Sequence, residues 1–280
     1  MKKNNGFRRI FSLFLSIIVF LFCFSSFSFA ETIDANVLYE EGMKYLANDG
    51  DSQNILKGIS LLIVAANEGS GKAMIEVGQM YTNGFGKILS PDYVEGTEAD
   101  MAYSWYVKAA EAGEVEAAAS AMATDAFSYF LGSETVKEDD AVALKFFEKA
   151  AEYGDSSAIN MMVAFYTYGF GVEQDPDKAL QLGASLANKG DQEALYAMEE
   201  NAYAYYAGTK DGIDINFNTA FQYYIKLAEY GNERAMYNVG LLYEYGLGTS
   251  KDRAKAIEWL TKAQDAGYEP ATTMLEELSK

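Results

Sequence analysis

Small and bulky apolar residues recur along this chain at helical spacing, inside a frame that repeats. Gly69, Gly113, Gly154, Gly190, Gly231 and Gly267 each precede an alanine by four residues, namely Ala73, Ala117, Ala158, Ala194, Ala235 and Ala271. Eleven residues before the last five glycines stands another alanine (Ala102, Ala143, Ala179, Ala220, Ala256), with Gly58 in that place before Gly69. A bulky residue follows three positions later, at Leu61, Trp105, Phe146, Leu182, Tyr223 and Trp259. Eleven residues make three helical turns, so the small and bulky residues share a face and the glycine ends the helix. A glycine there takes left-handed backbone at little cost, where another residue loses about 1 kcal/mol. Replacing Gly154 or Gly231 with valine is therefore expected to cost about 1–2 kcal/mol, and replacing the neighbouring Asp155 to cost little.

The stretches AEYGDSSAINMMVAFYTYGFG (Ala151 to Gly171) and AEYGNERAMYNVGLLYEYGLG (Ala228 to Gly248) lie 77 residues apart and agree at nine of 21 positions, all Ala, Glu, Tyr or Gly. Such sparse agreement marks a seam between closely crossing helices: small residues let the backbones approach, and tyrosines fill what they leave. The period predicts about six helix–turn–helix units, over approximately 35–72, 73–116, 117–157, 158–193, 194–234 and 235–270. A closing helix over 271–280 would turn Met274, Leu275 and Leu278 inward. In the units from Ala117 and Ala194 the tyrosine arrives late, at Tyr129 and Tyr205, which predicts an extra turn in their first helices. Between Gly86 and Ala102 lie eight more residues than between Gly171 and Ala179. This insertion, residues 87–101, is read either as a neutral surface loop or as a specificity loop on the rim.

The segments AMIEVGQMYTNGFG, GFGVEQDPDKAL and AYSWYVKAAEAG resemble the Sel-one-like repeat family, a relative of the tetratricopeptide repeats, and the likeness runs over about residues 35 to 280. The resemblance implies an all-α fold, a right-handed superhelical solenoid of stacked antiparallel helix pairs. It also implies use in protein–protein contact, and a type common among exported bacterial proteins. Cysteine-rich members carry one disulfide per repeat and have been linked to β-lactam binding; this chain has no such cysteines.

With the first-helix alanine as zero, positions 0, +4, +5 and +8 fall on one side of a helical wheel and +2, +6, +9 and +10 on the other. That second side is expected to line the concave groove. Counting the two long repeats from Ala121 and Ala197, it carries Phe127, Phe130, Leu131, Tyr168, Tyr203, Tyr206, Tyr237, Leu241 and Tyr245. The set is rich in aromatics, which serve as anchors for a partner. The competing reading is that the extra turns change the register and bury several of them.

The chain opens with Lys2, Lys3, Arg8 and Arg9, then an apolar run from Ile10 to about Phe24, then small residues ending at Ala30. This is the layout of a secretory signal peptide over residues 1–30, cut after Ala30. Phe22 before Cys23 is too bulky for a lipoprotein signal. Cleavage removes four of the 22 basic residues, none of the 41 acidic ones and the single cysteine, taking the net charge from −19 to −23. The product is expected to be exported, periplasmic or secreted, and held together without disulfides. So acidic a surface repels nucleic acid and anionic lipid, which argues against stable membrane insertion after cleavage. It either suits a cationic partner or serves solubility alone.

There is no histidine, which removes Ser-His and Cys-His catalysis and His-ligated metals. The segment GASLA (Gly183 to Ala187) has a faint likeness to a nucleophile elbow but lies in a predicted helix without a base. GSGKA (Gly69 to Ala73) lacks the rest of a phosphate loop and reads as a turn between repeats. The carboxylate groups Glu138, Asp139, Asp140 and Glu173, Asp175, Asp177 read as solvated loop charge. No cofactor or metal is expected. The sequence thus points to a non-catalytic exported adaptor, inhibitor or assembly factor that binds a protein partner. The alternative is a repeat protein that binds a cell-wall glycan or peptide, with or without hydrolase activity.

Overall fold

The computed structural model describes residues 34–47, 52–90 and 92–279, so the leader and its cleavage position lie outside the described residues. All regular structure among those residues is helical. The chain divides into two compact units, one up to Met74 and one from Ile75 onward. In the first, α1 (Ala35–Ala47) and α2 (Ser52–Asn67) form a pair. They cross closely because Gly42 and Gly58 face each other: a Cβ on Gly42 would lie 3.2 Å from the Gly58 carbonyl oxygen. Ser70 closes this unit, its hydroxyl donating to Asn36 Oδ1 at 3.1 Å.

Helix α3 (Gly71–Thr82) carries residues of both units, and is followed by the short α4 (Gly86–Leu89) and by α5 (Glu98–Glu111). Four helix hairpins come next in the second unit. They are α6 (Val115–Leu131) with α7 (Asp140–Glu152), α8 (Ser156–Tyr168) with α9 (Pro176–Ala187), α10 (Gln192–Ala207) with α11 (Phe217–Glu229), and α12 (Glu233–Tyr245) with α13 (Arg253–Asp265). Helix α14 (Glu269–Leu278) covers the last hairpin, where Met274, Leu275 and Leu278 pack on Leu260, Ala263 and Ala271. The extra turn is present: α6 and α10 have 17 and 16 residues, α8 and α12 only 13 each.

All six frame glycines have positive φ, between 85° and 105°, and at none of them would a Cβ meet another atom within 4 Å. Conformation, not space, reserves these positions for glycine. At Gly154 the joint reads clearly. Gly154 N–H donates to Ala151 O and Asp155 N–H to Ala150 O, at 2.9 and 3.0 Å, satisfying the last carbonyls of α7. Asp155 then caps α8, its carboxylate accepting the Ala158 N–H at 2.9 Å. The expectation that Asp155 is a dispensable neighbour of the glycine is therefore corrected: one residue closes one helix and opens the next. Asp191 and Asn232 repeat the arrangement after Gly190 and Gly231.

The alanine of the frame also needs correction in one unit. Ala117 keeps its spacing from Gly113 but is exposed, and Ala118 is buried in its place. The entry residue Glu114 makes no side-chain cap, and the buried stripe of α6 runs through Ala118, Met122, Asp125 and Tyr129. In α10 the corresponding stripe is Ala194, Met198, Asn201 and Tyr205.

Neighbouring hairpins meet at the second glycine of GFG and GLG. A Cβ on Gly171 would lie 2.7 Å from the Asp140 backbone carbon at the start of α7. A Cβ on Gly248 would collide with the Phe217 carbonyl and lie 2.8 Å from Asn218 N at the start of α11. Both glycines also have positive φ, 60° and 69°. The turn of one repeat thus rests directly on the backbone of the repeat before it.

Candidate binding face

The wheel positions expected to pack do pack: Ala158, Met162, Val163 and Tyr166 in α8 are buried, as are Asp125, Ala126 and Tyr129 in α6. The nine residues of the opposite side divide into two kinds. Leu131, Tyr203 and Tyr245 are exposed, at 71%, 54% and 60%. Phe127, Phe130, Tyr168, Tyr206, Tyr237 and Leu241 are half-buried.

Most of the half-buried ones are held in ring contacts, and those of Phe130 cross between repeats. Phe127 meets Phe147 edge-on at 5.1 Å, and Phe147 meets Phe165 at 5.6 Å. Phe130 touches both Phe165 and Phe170, at 5.2 and 5.3 Å, and Tyr168 lies against Phe170 at 5.6 Å. Three of the nine residues therefore join one aromatic row that passes from α6 to the turn after α8. Farther along, Tyr206 packs on Phe217 and Tyr237 on Tyr268. Burial pushes the Tyr237 hydroxyl above its ordinary pKa, and the phenols of Tyr268 and Tyr245, the Glu277 carboxylate and the phenol of Tyr206 add to it.

Beneath the α3–α6 contact lies a polar cluster the sequence reading did not anticipate. Asp125 is buried, and its Oδ2 accepts from the Thr82 hydroxyl and the Tyr106 hydroxyl, each at 2.6 Å. Burial raises the Asp125 pKa, and the two hydroxyl donors oppose that rise. The Tyr106 hydroxyl is pushed far above its ordinary range, chiefly by burial and then by the Asp125 charge. The matching place between α8 and α10 holds an amide: Asn201 Nδ2 faces Thr167 Oγ1 at 3.5 Å. The signal was a polar residue on the buried stripe of each long helix.

Two of the six acidic residues of the loops have structural roles. Asp139 and Asp175 cap α7 and α9, accepting from Val142 N and Lys178 N. Among the described residues, no group of three or more His, Cys, Asp or Glu side chains is placed to hold a metal ion. The Ser185 hydroxyl of GASLA donates to the Leu182 carbonyl of its own helix at 2.7 Å. The inserted loop folds on itself: the Tyr93 ring lies on Gly86, its hydroxyl bonds Glu98, and Lys87 pairs with Glu95 at 3.5 Å. Phe85, Ile88 and Val94 are left exposed there. Among the described residues, no helix is long and apolar enough to cross a membrane.

The sequence model of the Sel1 repeat matches residues 71–114, 117–155, 158–191, 194–232 and 233–268. The chain is 32% identical over 148 residues to chitin synthase regulatory factor 4 of Schizosaccharomyces pombe, covering 52% of this chain and 22% of that protein. It is 30% identical over 185 residues to chitin synthase regulator SKT5 of Saccharomyces cerevisiae, covering 65% and 24%. It is also 30% identical over 179 residues to the ERAD-associated E3 ubiquitin-protein ligase component HRD3A of Arabidopsis thaliana, covering 59% and 26%. The chain thus spans about a quarter of the length of these relatives. Among solved structures, it is similar to a protective antigen with an SLR fold from uropathogenic Escherichia coli strains, at 26% identity and a TM-score of 0.40, covering 88% of this chain and 49% of that one. A Sel1 repeat protein from Oxalobacter formigenes gives 25% identity and a TM-score of 0.35, covering 87% and 88%.

Proposed function

Because the chain belongs to the Sel1 repeat family, with five repeats over residues 71–268, we propose that it is a non-catalytic exported protein that binds another protein through the face carrying Leu131, Tyr203 and Tyr245. The observation that carries this reading is the exposure of those three side chains beside aromatics that are otherwise half-buried. Exposed aromatic anchors on a rigid floor bind at small entropic cost, since the floor is already ordered. Phe127, Phe130, Tyr168, Tyr206, Tyr237 and Leu241 hold that floor, and the concave groove is the place we assign to it. The names of three relatives fit the reading: two are called chitin synthase regulators and one a ligase component. The net charge of −19 favours a cationic partner and disfavours nucleic acid.

Affinity capture with the full chain, run beside Tyr203→Ala with Tyr245→Ala, tests this. The partner is expected to be retained by the first and lost from the second. Equal recovery by both places the binding surface elsewhere, with the inserted loop and its exposed Phe85, Ile88 and Val94 as the next candidate. Export is tested separately by the mass of the exported form, expected to begin at Glu31; recovery of full-length chain in the membrane fraction contradicts it.

A further inference from the structure

Large and small residues alternate across each helix pair, and one pair breaks the rule. At position +5 of the first helix and +4 of the second, α3 and α5 place Gly78 under Tyr106, and a Cβ on Gly78 would lie 2.5 Å from the Tyr106 ring. At the same positions α12 and α13 place Gly240 under Leu260, with 2.7 Å to Leu260 Cγ. In α8 and α9 these positions hold Val163 and Gly183. Valine does not replace the volume of a tyrosine or leucine, and Met198 of α10 approaches from only one side, 3.0 Å from where a Gly183 Cβ would stand.

What remains is a notch of about 230 Å³ lined by Asn160, Val163, Gly183, Glu193, Ala194 and Ala197. Its walls are apolar at Val163, Gly183, Ala194 and Ala197. Its polar groups are the Glu193 carboxylate, which is exposed and forms no ion pair among the described residues, and the Asn160 amide. Asn160 stands at +2 of its helix, the position that Tyr237 holds in α12.

We propose that this notch is an arginine-recognition site, taking one arginine side chain of a basic partner. The stem lies along Ala197 and the edges of the buried Val163, Gly183 and Ala194 that open into the notch. The guanidinium reaches Glu193, with the Asn160 amide oxygen as a second acceptor. The planar fork of arginine suits two acceptors at one opening, and its weak hydration suits an apolar wall. The net charge of −19 draws such a partner in. The inference rests on the chain being a partner-binding protein, but its test does not use the aromatic anchors.

The probe is the pentapeptide acetyl-Gly-Gly-Arg-Gly-Gly-amide, titrated into the ¹⁵N-labelled full chain, beside versions with citrulline or norleucine at the centre. Saturable shifts at the amides of Asn160, Gly183 and Ala194 are expected with arginine, and at least fivefold weaker binding with citrulline, with norleucine and for Glu193→Gln. Gly183→Leu, which fills the notch, is expected to abolish the shifts. Glu193→Gln is a surface change, so the result does not depend on whether Gly183→Leu folds. Absence of saturable shifts at these amides, or equal binding of arginine and norleucine, overturns the proposal. If arginine binding fails while Tyr203→Ala with Tyr245→Ala still loses its partner, the notch is refuted and the binding face stands.

Discussion

Asp155 follows a glycine that can adopt φ 96° and precedes a helix whose first N–H groups need an acceptor, so its backbone and side chain serve different helices. Asp155→Ala is expected to cost about 1 kcal/mol through loss of the cap, and Gly154→Val about 1–2 kcal/mol through backbone strain, both read from urea unfolding. A wild-type midpoint for Asp155→Ala would contradict the double role. The glycine was legible in the sequence because left-handed backbone leaves a signature in residue type. The capping role was not, because aspartate after glycine is as common in plain turns. Asp125 gives a second test. Burial holds its carboxyl above the ordinary carboxylate range, so the folded chain keeps the proton to higher pH than the unfolded chain does. The stability this contributes is full below the unfolded pKa and fades as pH rises through the folded one. Asp125→Asn copies Asn201 and keeps an acceptor for Thr82 and Tyr106. It is expected to raise the urea midpoint at pH 7 and to leave it unchanged in acid, where the carboxyl is protonated in both states. A lower midpoint at pH 7 would mean that the charged form gains more from its two hydroxyl donors than burial takes away.

Helices in this protein are set by where they stop and by what they touch in the next repeat. At Gly154 a Cβ meets nothing, whereas at Gly248 it would enter the Phe217 backbone. Gly248→Ala is therefore expected to cost about 2–4 kcal/mol, combining backbone strain with overpacking, and Gly154→Ala only about 1 kcal/mol. Comparable losses at the two sites, measured by thermal or urea unfolding, would deny the repeat-to-repeat contact. The sequence shows both glycines at fixed spacing but cannot separate a helix stop from a close approach, since each only requires that a side chain be absent. The longer α6 and α10 were legible from the late arrival of Tyr129 and Tyr205. The exposure of Ala117 was not, because Gly113 and Ala117 keep their spacing while the uncapped entry of α6 turns the next residue inward. The notch beside Gly183 was hidden for a related reason: it arises from an underfilled pair of positions on two helices, and no single residue announces it.

Across the whole molecule, repetition fixed the fold early, because a frame written several times in one chain averages out the variation at any one copy. The binding face was less legible. A wheel distinguishes the packing side of a helix from its opposite side, but the opposite side of α6, α8, α10 and α12 divides again, into residues that are buried after all (Ala123, Thr167 and Glu244), residues that are half-buried, the aromatic ones in ring contacts, and residues that project. Only Leu131, Tyr203 and Tyr245 belong to the last kind. The most direct measurement is the affinity of the purified partner for the full chain and for Tyr203→Ala with Tyr245→Ala, by calorimetry, alongside melting curves of both proteins. We expect Kd to rise more than tenfold, about 1.4 kcal/mol, with a melting temperature within a few degrees of the parent. An unchanged Kd in a well-folded double variant, or a large fall in melting temperature that assigns these tyrosines to the core, would contradict it.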